Sequence, residues 1–244
     1  MSVLLVDGDN LLTIGFYGLK NHYYKGKHIG AIYHFINTLR RAFEIYQLDK
    51  IVVFWDGENS SQERKKIYFQ YKENRRSNRL TEEGKNSYNY QRTRIKRYLE
   101  ELYVRQGEFA NCESDDCIAY YTHNSPNEKK IVYSSDRDLA QLVNKDVSLY
   151  NPSHGKLYEP NSNIEYDKET ILIENENFYN WKRHHNFYFG INMSNNQAFI
   201  KNYESIKYLN KAYIYLFISV YCSILLPSHV LPRPFHNNYY LIVI

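Results

Sequence analysis

The stretch SVLLVDGDN, Ser2 to Asn10, decides the reading of this chain: an apolar run ends abruptly in two aspartates set around a glycine. A short apolar run closed by turn residues is the pattern of a buried strand, whose carboxyl end here presents Asp7 and Asp9. The pattern returns at KIVVFWDGEN, residues 50–59, which ends on Asp56, and at KIVYSSDRDLAQLV, residues 130–143, which ends on Asp136 and Asp138. Between the first two runs, AIYHFINTLRRAFEIY carries apolar residues at Ile32, Phe35, Ile36, Leu39 and Phe43, the spacing of one helix face. YQRTRIKRYLEELYV, residues 90–104, predicts a further helix. Strands alternating with helices imply an α/β fold with a mainly parallel central sheet flanked by helices. Such sheets bind ligands in the crevice outside the carboxyl ends of their strands.

The densest acid in the chain lies in CESDDCIAYYT, residues 112–122, where Glu113, Asp115 and Asp116 precede an apolar helical pattern. Acids are favoured in the first turn of a helix, with Asn111 or Ser114 available as a cap. Yet like charges held close oppose folding unless a cation sits between them. A parallel arrangement brings the ends of all three strands to the same edge as this helix start. Asp7, Asp56, Glu113, Asp115, Asp116, Asp136 and Asp138 would then converge, and hard divalent cations would neutralise them. An oxygen-only ligand set without His or Cys selects Mg²⁺ or Mn²⁺ over Zn²⁺.

Charge along the chain is uneven. The formal net charge is +4, but residues 61–100 hold 12 Lys and Arg against 5 Asp and Glu, an excess of seven, so the remainder sums to −3. A basic surface beside an acidic site is the expectation. Within it, ERKKIYFQYKENRRSNRL carries Arg64, Lys65, Lys66, Lys72, Arg75, Arg76 and Arg79 interleaved with Tyr68, Phe69 and Tyr71. Cations neutralise phosphates and aromatic rings stack on bases, so the segment suits a nucleic acid, although an isolated basic run is more commonly a solvated face. Two metal ions roughly 3.5–4 Å apart can clamp the attacking and leaving oxygens of a phosphodiester displacement. The three cysteines, Cys112, Cys117 and Cys222, lack metal-ligand spacing, which predicts reduced thiols and a cytoplasmic setting. A strand pattern at the very start leaves no expected signal peptide.

LLVDGDNLL, VVFWDG, QYKENR, ESDD and YSSDRDLAQLV stand in an order that resembles the PIN-like 5′-nucleases. These are the flap endonucleases and 5′–3′ exonucleases, including the nuclease domain of bacterial DNA polymerase I and phage flap endonucleases. The resemblance covers about residues 1–180. It implies a catalytic core there, with a helical arch at about 61–100, and a Mg²⁺- or Mn²⁺-dependent hydrolase using two ions. The implied substrate is DNA with a 5′ single-stranded end or flap, met in replication or repair in a bacterial or phage-infected cytoplasm, with no small-molecule cofactor.

Carried over by motif, Asp7, Asp56, Glu113, Asp115, Asp116, Asp136 and Asp138 are the implied metal ligands. Lys72 and Arg75 are the implied catalytic residues of the arch, and Arg64, Lys65, Lys66, Tyr71, Arg76 and Arg79 are the implied DNA contacts. Asp9 has no family acid at its place and is expected to support the ligands rather than join them. The alternatives by class are a catalytically impaired DNA-binding homologue and a PIN-type ribonuclease; minimal examples of the latter lack the long basic segment.

After FYNWK the family pattern calls for G-D-x-S-D-N, with two further metal-binding aspartates, and then a glycine-rich helix–turn–helix that grips duplex DNA. Here RHHNFYFGINMSNNQAF follows instead, then an apolar, aromatic stretch to residue 244. Residues 181–244 are thus an atypical tail, open to three readings: a diverged DNA-binding subdomain, a membrane anchor, or a reading frame shifted near Lys182. The anchor is disfavoured, because the apolar run at 212–226 falls short of the ~20 residues that a span requires.

Overall fold

The computed structural model describes residues 1–67, 80–166 and 169–172. In chain order these form β1 (Ser2–Asp7), α1 (Gly8–Gly18), a small hairpin of β2 (Tyr23–Tyr24) and β3 (Lys27–His28), α2 (Gly30–Tyr46), β4 (Lys50–Asp56) and α3 (Gln62–Ile67). There follow α4 (Glu82–Glu101), β5 (Arg105–Phe109), α5 (Ser114–Asn124), β6 (Lys129–Tyr133) and a 3₁₀ helix (Arg137–Leu142). β7 (Val147–Asn151), β8 (Lys156–Tyr158), β9 (Asn163–Tyr166) and β10 (Glu169–Leu172) close the described part.

One six-stranded sheet has the order β5-β4-β1-β6-β7-β8. Its first five strands run parallel and β8 pairs antiparallel at one edge. The three strands expected from the sequence, β1, β4 and β6, are therefore side by side with their carboxyl ends on one edge. The chain steps from β1 outward to β4 and β5, then crosses back to β6 on the other side of β1. That reversal of direction beside β1 is the kind of switch point outside which open α/β sheets bind their ligands.

Both faces of the sheet are covered, which is why β1 and β4 are apolar at nearly every position. Leu4, Val6, Ile51, Val53 and Trp55 pack into one core with residues of α1, α2 and α4, among them Leu11, Phe35, Leu39 and Ile95. Val3, Leu5, Val52 and Phe54 enter the other, with Ile118 and Tyr121 of α5. The helical spacing expected for α2 holds: Phe35, Ile36, Leu39 and Phe43 are all buried. The third run differs from expectation at its end, since β6 stops at Tyr133 and Asp136 and Asp138 stand on the turn and 3₁₀ helix beyond it. Asp136 caps that helix, its side chain accepting the N–H of Asp138. The predicted helix over 90–104 ends at Glu101, where Val104 and Arg105 turn into β5.

Both aspartates that end a strand next to a helix or loop are followed by glycine for a steric reason. A Cβ on Gly8 would lie 2.6 Å from the Trp55 ring, and one on Gly57 would run into the Phe109 carbonyl. Gly57 also donates its N–H to the Cys112 carbonyl, at 3.0 Å, which ties the exit of β4 to the entrance of α5. Glycine alone fits where backbone meets backbone so closely. Replacing Gly57 by alanine is expected to cost about 1–3 kcal/mol, the usual range for a backbone-level clash, read by urea denaturation. Unchanged stability would mean that this approach is loose.

Candidate metal centre

Ser114, the first residue of α5, joins the ends of two strands. Its N–H donates to Asp56 Oδ1 at 2.8 Å and its hydroxyl donates to Asp7 Oδ1 at 3.0 Å. Asp7 Oδ1 also accepts the N–H of Asn10, capping α1, while Oδ2 accepts from the Ser134 hydroxyl at 3.1 Å. Ser134 Oγ in turn accepts the N–H of Asp136 at 3.1 Å. An unbroken chain of contacts thus runs from Asp56 through Ser114, Asp7 and Ser134 to Asp136. The serines could be placed only once the strands were, because a serine beside an aspartate carries no distinctive sequence signal.

Glu113, Asp115 and Asp116 open α5. A capping box is present: Glu113 caps the helix and its own N–H donates to Asp116 Oδ2 at 3.3 Å. The capping role and the acidic cluster are therefore the same residues. The cation between them is Arg64 of α3. Its Nη1 donates to Glu113, and its Nη2 donates to Asp116 Oδ1 at 2.7 Å and to both oxygens of Asp115 at 3.1 and 3.2 Å. Arg64 is itself buried, with 8% of its surface exposed. The sequence had cast it as a DNA contact; in the structure it is held by three carboxylates.

Asp9 has a different partner. Its carboxylate accepts from Arg92 Nε at 2.7 Å and Nη2 at 3.1 Å, and from the Asp56 N–H at 2.9 Å. Arg92 Nη2 also donates to the Asp56 carbonyl at 3.1 Å. The pair thus holds the Asp56 backbone by both its donor and its acceptor. Arg92, 83 residues from Asp9 and lying over the Trp55 ring, could not have been found from the sequence.

Burial and crowding leave a mark on two carboxyls. The Asp7 pKa is pushed from 3.8 up to about 7, first by burial and then by the charge of Asp56, against the lowering effect of the Asn10 and Ser114 hydrogen bonds. Asp116 is pushed from 3.8 up to about 7 by burial and by Asp115, and Arg64 offsets only part of this. Among the described residues, no group of three or more His, Cys, Asp or Glu is arranged to hold a metal ion. The expected metal set is therefore gathered at one edge but not closed around an ion, and the guanidinium of Arg64 lies within its acidic part. The donor chemistry fits a hard divalent cation: every candidate ligand is a carboxylate, Glu113, Asp115 and Asp116 already hold an organic cation, and burial and neighbouring charge push the pKa values of Asp7 and Asp116 up to about 7.

Of the basic segment, Arg64 and Lys65 are described, and the Lys65 side chain is exposed. Tyr68, Phe69, Tyr71, Lys72, Arg75, Arg76 and Arg79, together with the Lys66 side chain, lie outside the described residues, as does the tail at 181–244. Among the described residues no helix is long and apolar enough to cross a membrane.

The model of the 5′–3′ exonuclease N-terminal resolvase-like domain matches residues 2–175. The chain belongs to that family. A 5′–3′ exonuclease of Halalkalibacterium halodurans is 29% identical over 167 residues, covering 63% of this chain and 52% of that protein. One from Buchnera aphidicola is 26% identical over 152 residues, covering 61% and 51%. The chain thus spans about half the length of these curated relatives. Its fold is similar to that of the T5 5′-exonuclease, solved with divalent zinc ions bound, with a TM-score of 0.55 at 19% identity over 65% of this chain and 58% of that one. The PIN-like α/β architecture expected from the motifs is the one observed.

Two predictions follow from the geometry. Asp9→Ala removes the acceptor of the Asp56 N–H and leaves Arg92 with Glu108 and the Asp56 carbonyl as its remaining partners, so a loss of about 1–3 kcal/mol is expected, with Asp9→Asn losing less; equal losses in thermal unfolding would show that the charge alone matters. The second concerns pH. Asp7 and Asp116 bind protons more tightly folded than unfolded, so the folded state holds more protons between about pH 4 and 7. Stability of the metal-free protein should therefore fall as pH rises through that window and level off above it. A melting temperature that rises from pH 4 to 7 would contradict the assigned shifts.

Proposed function

We propose that this chain is the catalytic part of a divalent-metal-dependent 5′-nuclease that hydrolyses phosphodiester bonds of DNA carrying a 5′ single-stranded end or flap, in replication or repair. The observation that carries the reading is that Ser114 ties Asp7 and Asp56 together at the carboxyl edge of β1 and β4 while the adjoining Glu113, Asp115 and Asp116 hold the buried Arg64, in a chain of the 5′–3′ exonuclease family. A site that needs a cation to relieve its own repulsion is a site prepared for one.

In this reading residues 1–180 form the nuclease core, 61–100 include the arch and 181–244 are an atypical tail. Asp7, Asp56, Glu113 and Asp115 would hold one ion, and Asp116, Asp136 and Asp138 the other, as Mg²⁺ or Mn²⁺. When bound, such ions supply charge neutralisation at the scissile phosphate and lower the pKa of a bound water. The chain's own residues do the rest. Ser114 holds Asp7 and Asp56 in a fixed relation, and the Asp9–Arg92 pair fixes the Asp56 backbone. Lys72 and Arg75 would face the phosphate from the arch, where a positive charge is most useful as negative charge builds in the transition state. Lys65, Lys66, Arg76 and Arg79 would neutralise the DNA backbone, and Tyr71 would offer a base a stacking face.

One observation favours a weaker enzyme. The segment after Trp181 carries GINMSNN, with Ile191 or Asn192 and Asn195 where the family places its last two acids. An ion held by fewer carboxylates binds less tightly, so slow turnover, partly restored by Mn²⁺, is the expectation.

The test is cleavage of a 5′-flap DNA in Mg²⁺ or Mn²⁺, with single-stranded RNA as the comparison. Asp56→Asn should reduce cleavage by roughly 10²–10³-fold, the scale for losing one preorganised electrostatic group, while the fold stays intact. Preserved cleavage by Asp56→Asn would contradict the metal assignment, and preference for the RNA would replace the DNA reading. Lys72→Ala should slow turnover more than it weakens DNA binding, as a transition-state contact does. Equal losses would reduce Lys72 to a phosphate-positioning role.

A further inference from the structure

Arg64 is more than a neighbour of the acidic cluster. Its guanidinium takes hydrogen-bonding positions on Glu113, Asp115 and Asp116 at once, and one of those bonds goes to Asp116 Oδ1 at 2.7 Å. These are three of the carboxylates assigned to the ions in the proposed function, on which this inference rests. The guanidinium is held by all three carboxylates at once, and Mg²⁺ requires its oxygens at about 2.0–2.1 Å in near-octahedral array, so an ion drawing on these groups must re-aim them away from Arg64. The two cations compete for the same carboxylates.

We infer that Arg64 is an exchangeable counter-ion: it holds the acidic turn of α5 together before metal binds, and a divalent ion must displace it. The argument is one of charge and shape. Three carboxylates against a single guanidinium leave a net deficit of positive charge at this turn. A compact divalent ion compensates more charge at shorter range. A planar guanidinium, by contrast, satisfies directional hydrogen bonds without meeting an octahedral demand.

Displacement also reaches beyond the cluster. Arg64 stands on α3, six residues long, and the loop leading to it is pinned to the turn before α5 by Gly57 N–H to the Cys112 carbonyl at 3.0 Å and Asn111 N–H to the Glu58 carbonyl at 2.8 Å. The root of the basic segment is therefore fixed, while its first buried cation is held by groups that metal would claim. Metal uptake then releases Arg64 from the turn of α5, and the position of α3 reports whether the acidic cluster is loaded. Arg64 is a positioning residue in this account, and the quantity it controls is metal affinity.

The experiment is a calorimetric titration of Mn²⁺ into the full chain without DNA, comparing wild type with Arg64→Gln and Arg64→Lys, each checked for folding by circular dichroism. Removing the competitor should tighten Mn²⁺ binding to Arg64→Gln by about tenfold, or about 1.4 kcal/mol, and enlarge the rise in melting temperature that Mn²⁺ produces. Arg64→Lys, which keeps the charge but loses the fork, should tighten it by a smaller factor. Equal or weaker Mn²⁺ binding in a folded Arg64→Gln would overturn the inference and make Arg64 a scaffold that holds the ligands in place. Should Arg64→Gln fail to fold without metal, Arg64→Lys decides alone, and binding no tighter than wild type overturns it. Wild-type protein that binds no divalent ion at all would instead remove the proposed function on which the inference rests.

Discussion

Mutual repulsion among carboxylates at one edge of the sheet is the constraint to which the rest of this structure answers. β1 and β4 are buried on both faces, and their carboxyl ends deliver Asp7, buried, and Asp56, partly exposed, to one place. The start of α5 adds Glu113, Asp115 and Asp116 to the same edge. Nothing in a folded apolar core compensates that charge, and the protein uses three devices instead. Serine hydroxyls and helix N–H groups bind the carboxylates; two carboxyls keep their protons to near neutrality; and arginines from distant segments pair with the acids, the buried Arg64 with the turn of α5 and the partly exposed Arg92 with Asp9. Each device is a partial remedy, and together they hold the edge in a state that a divalent ion would improve.

The opposite edge of the sheet shows how differently acid is handled where no ligand is needed. Lys50 is almost fully buried and its ammonium meets Glu128 at 2.6 Å beneath the Tyr121 ring, whose hydroxyl donates to the other Glu128 oxygen at 2.8 Å. Both Glu128 oxygens are engaged, and the second buried ammonium there, that of Lys130, is held by the Ser125 and Glu128 carbonyls, so each buried charge has its partners, as it must if it is to persist. At the carboxyl edge, acids outnumber cations. An arrangement that is matched at one end of the strands and mismatched at the other points to a site at the mismatched end.

How much of this was legible in the sequence follows from which interactions are local. The strands β1, β4 and β6 declare themselves because double burial makes them continuous apolar runs, and the aspartates at or just beyond their ends mark the edge. The spacing of Phe35, Leu39 and Phe43 gives α2 for the same reason. β5 was missed because RQGEF carries polar residues at three of its five positions, and β8 because a three-residue antiparallel edge strand has too little pattern to read. The partners of the site residues were hidden for a different cause. Arg64 meets Asp116 across 52 positions and Arg92 meets Asp9 across 83, and no local rule chooses between a basic residue that reaches a phosphate and one that turns inward to an acid. Charge counting marked a basic and an acidic region and could not say that one arginine, Arg64, joins the acids of α5.

The central claim is that the carboxyl edge of this sheet binds divalent cations through Asp56 and Asp116. Electron paramagnetic resonance of Mn²⁺ titrated into the metal-free protein tests it most directly, because the free-ion signal falls as ions bind, whatever the catalytic rate. The account predicts saturable uptake of Mn²⁺ by the wild-type chain and marked weakening of that uptake in an Asp56→Asn/Asp116→Asn double variant that remains folded. Uptake by the double variant equal to that of wild type would contradict it.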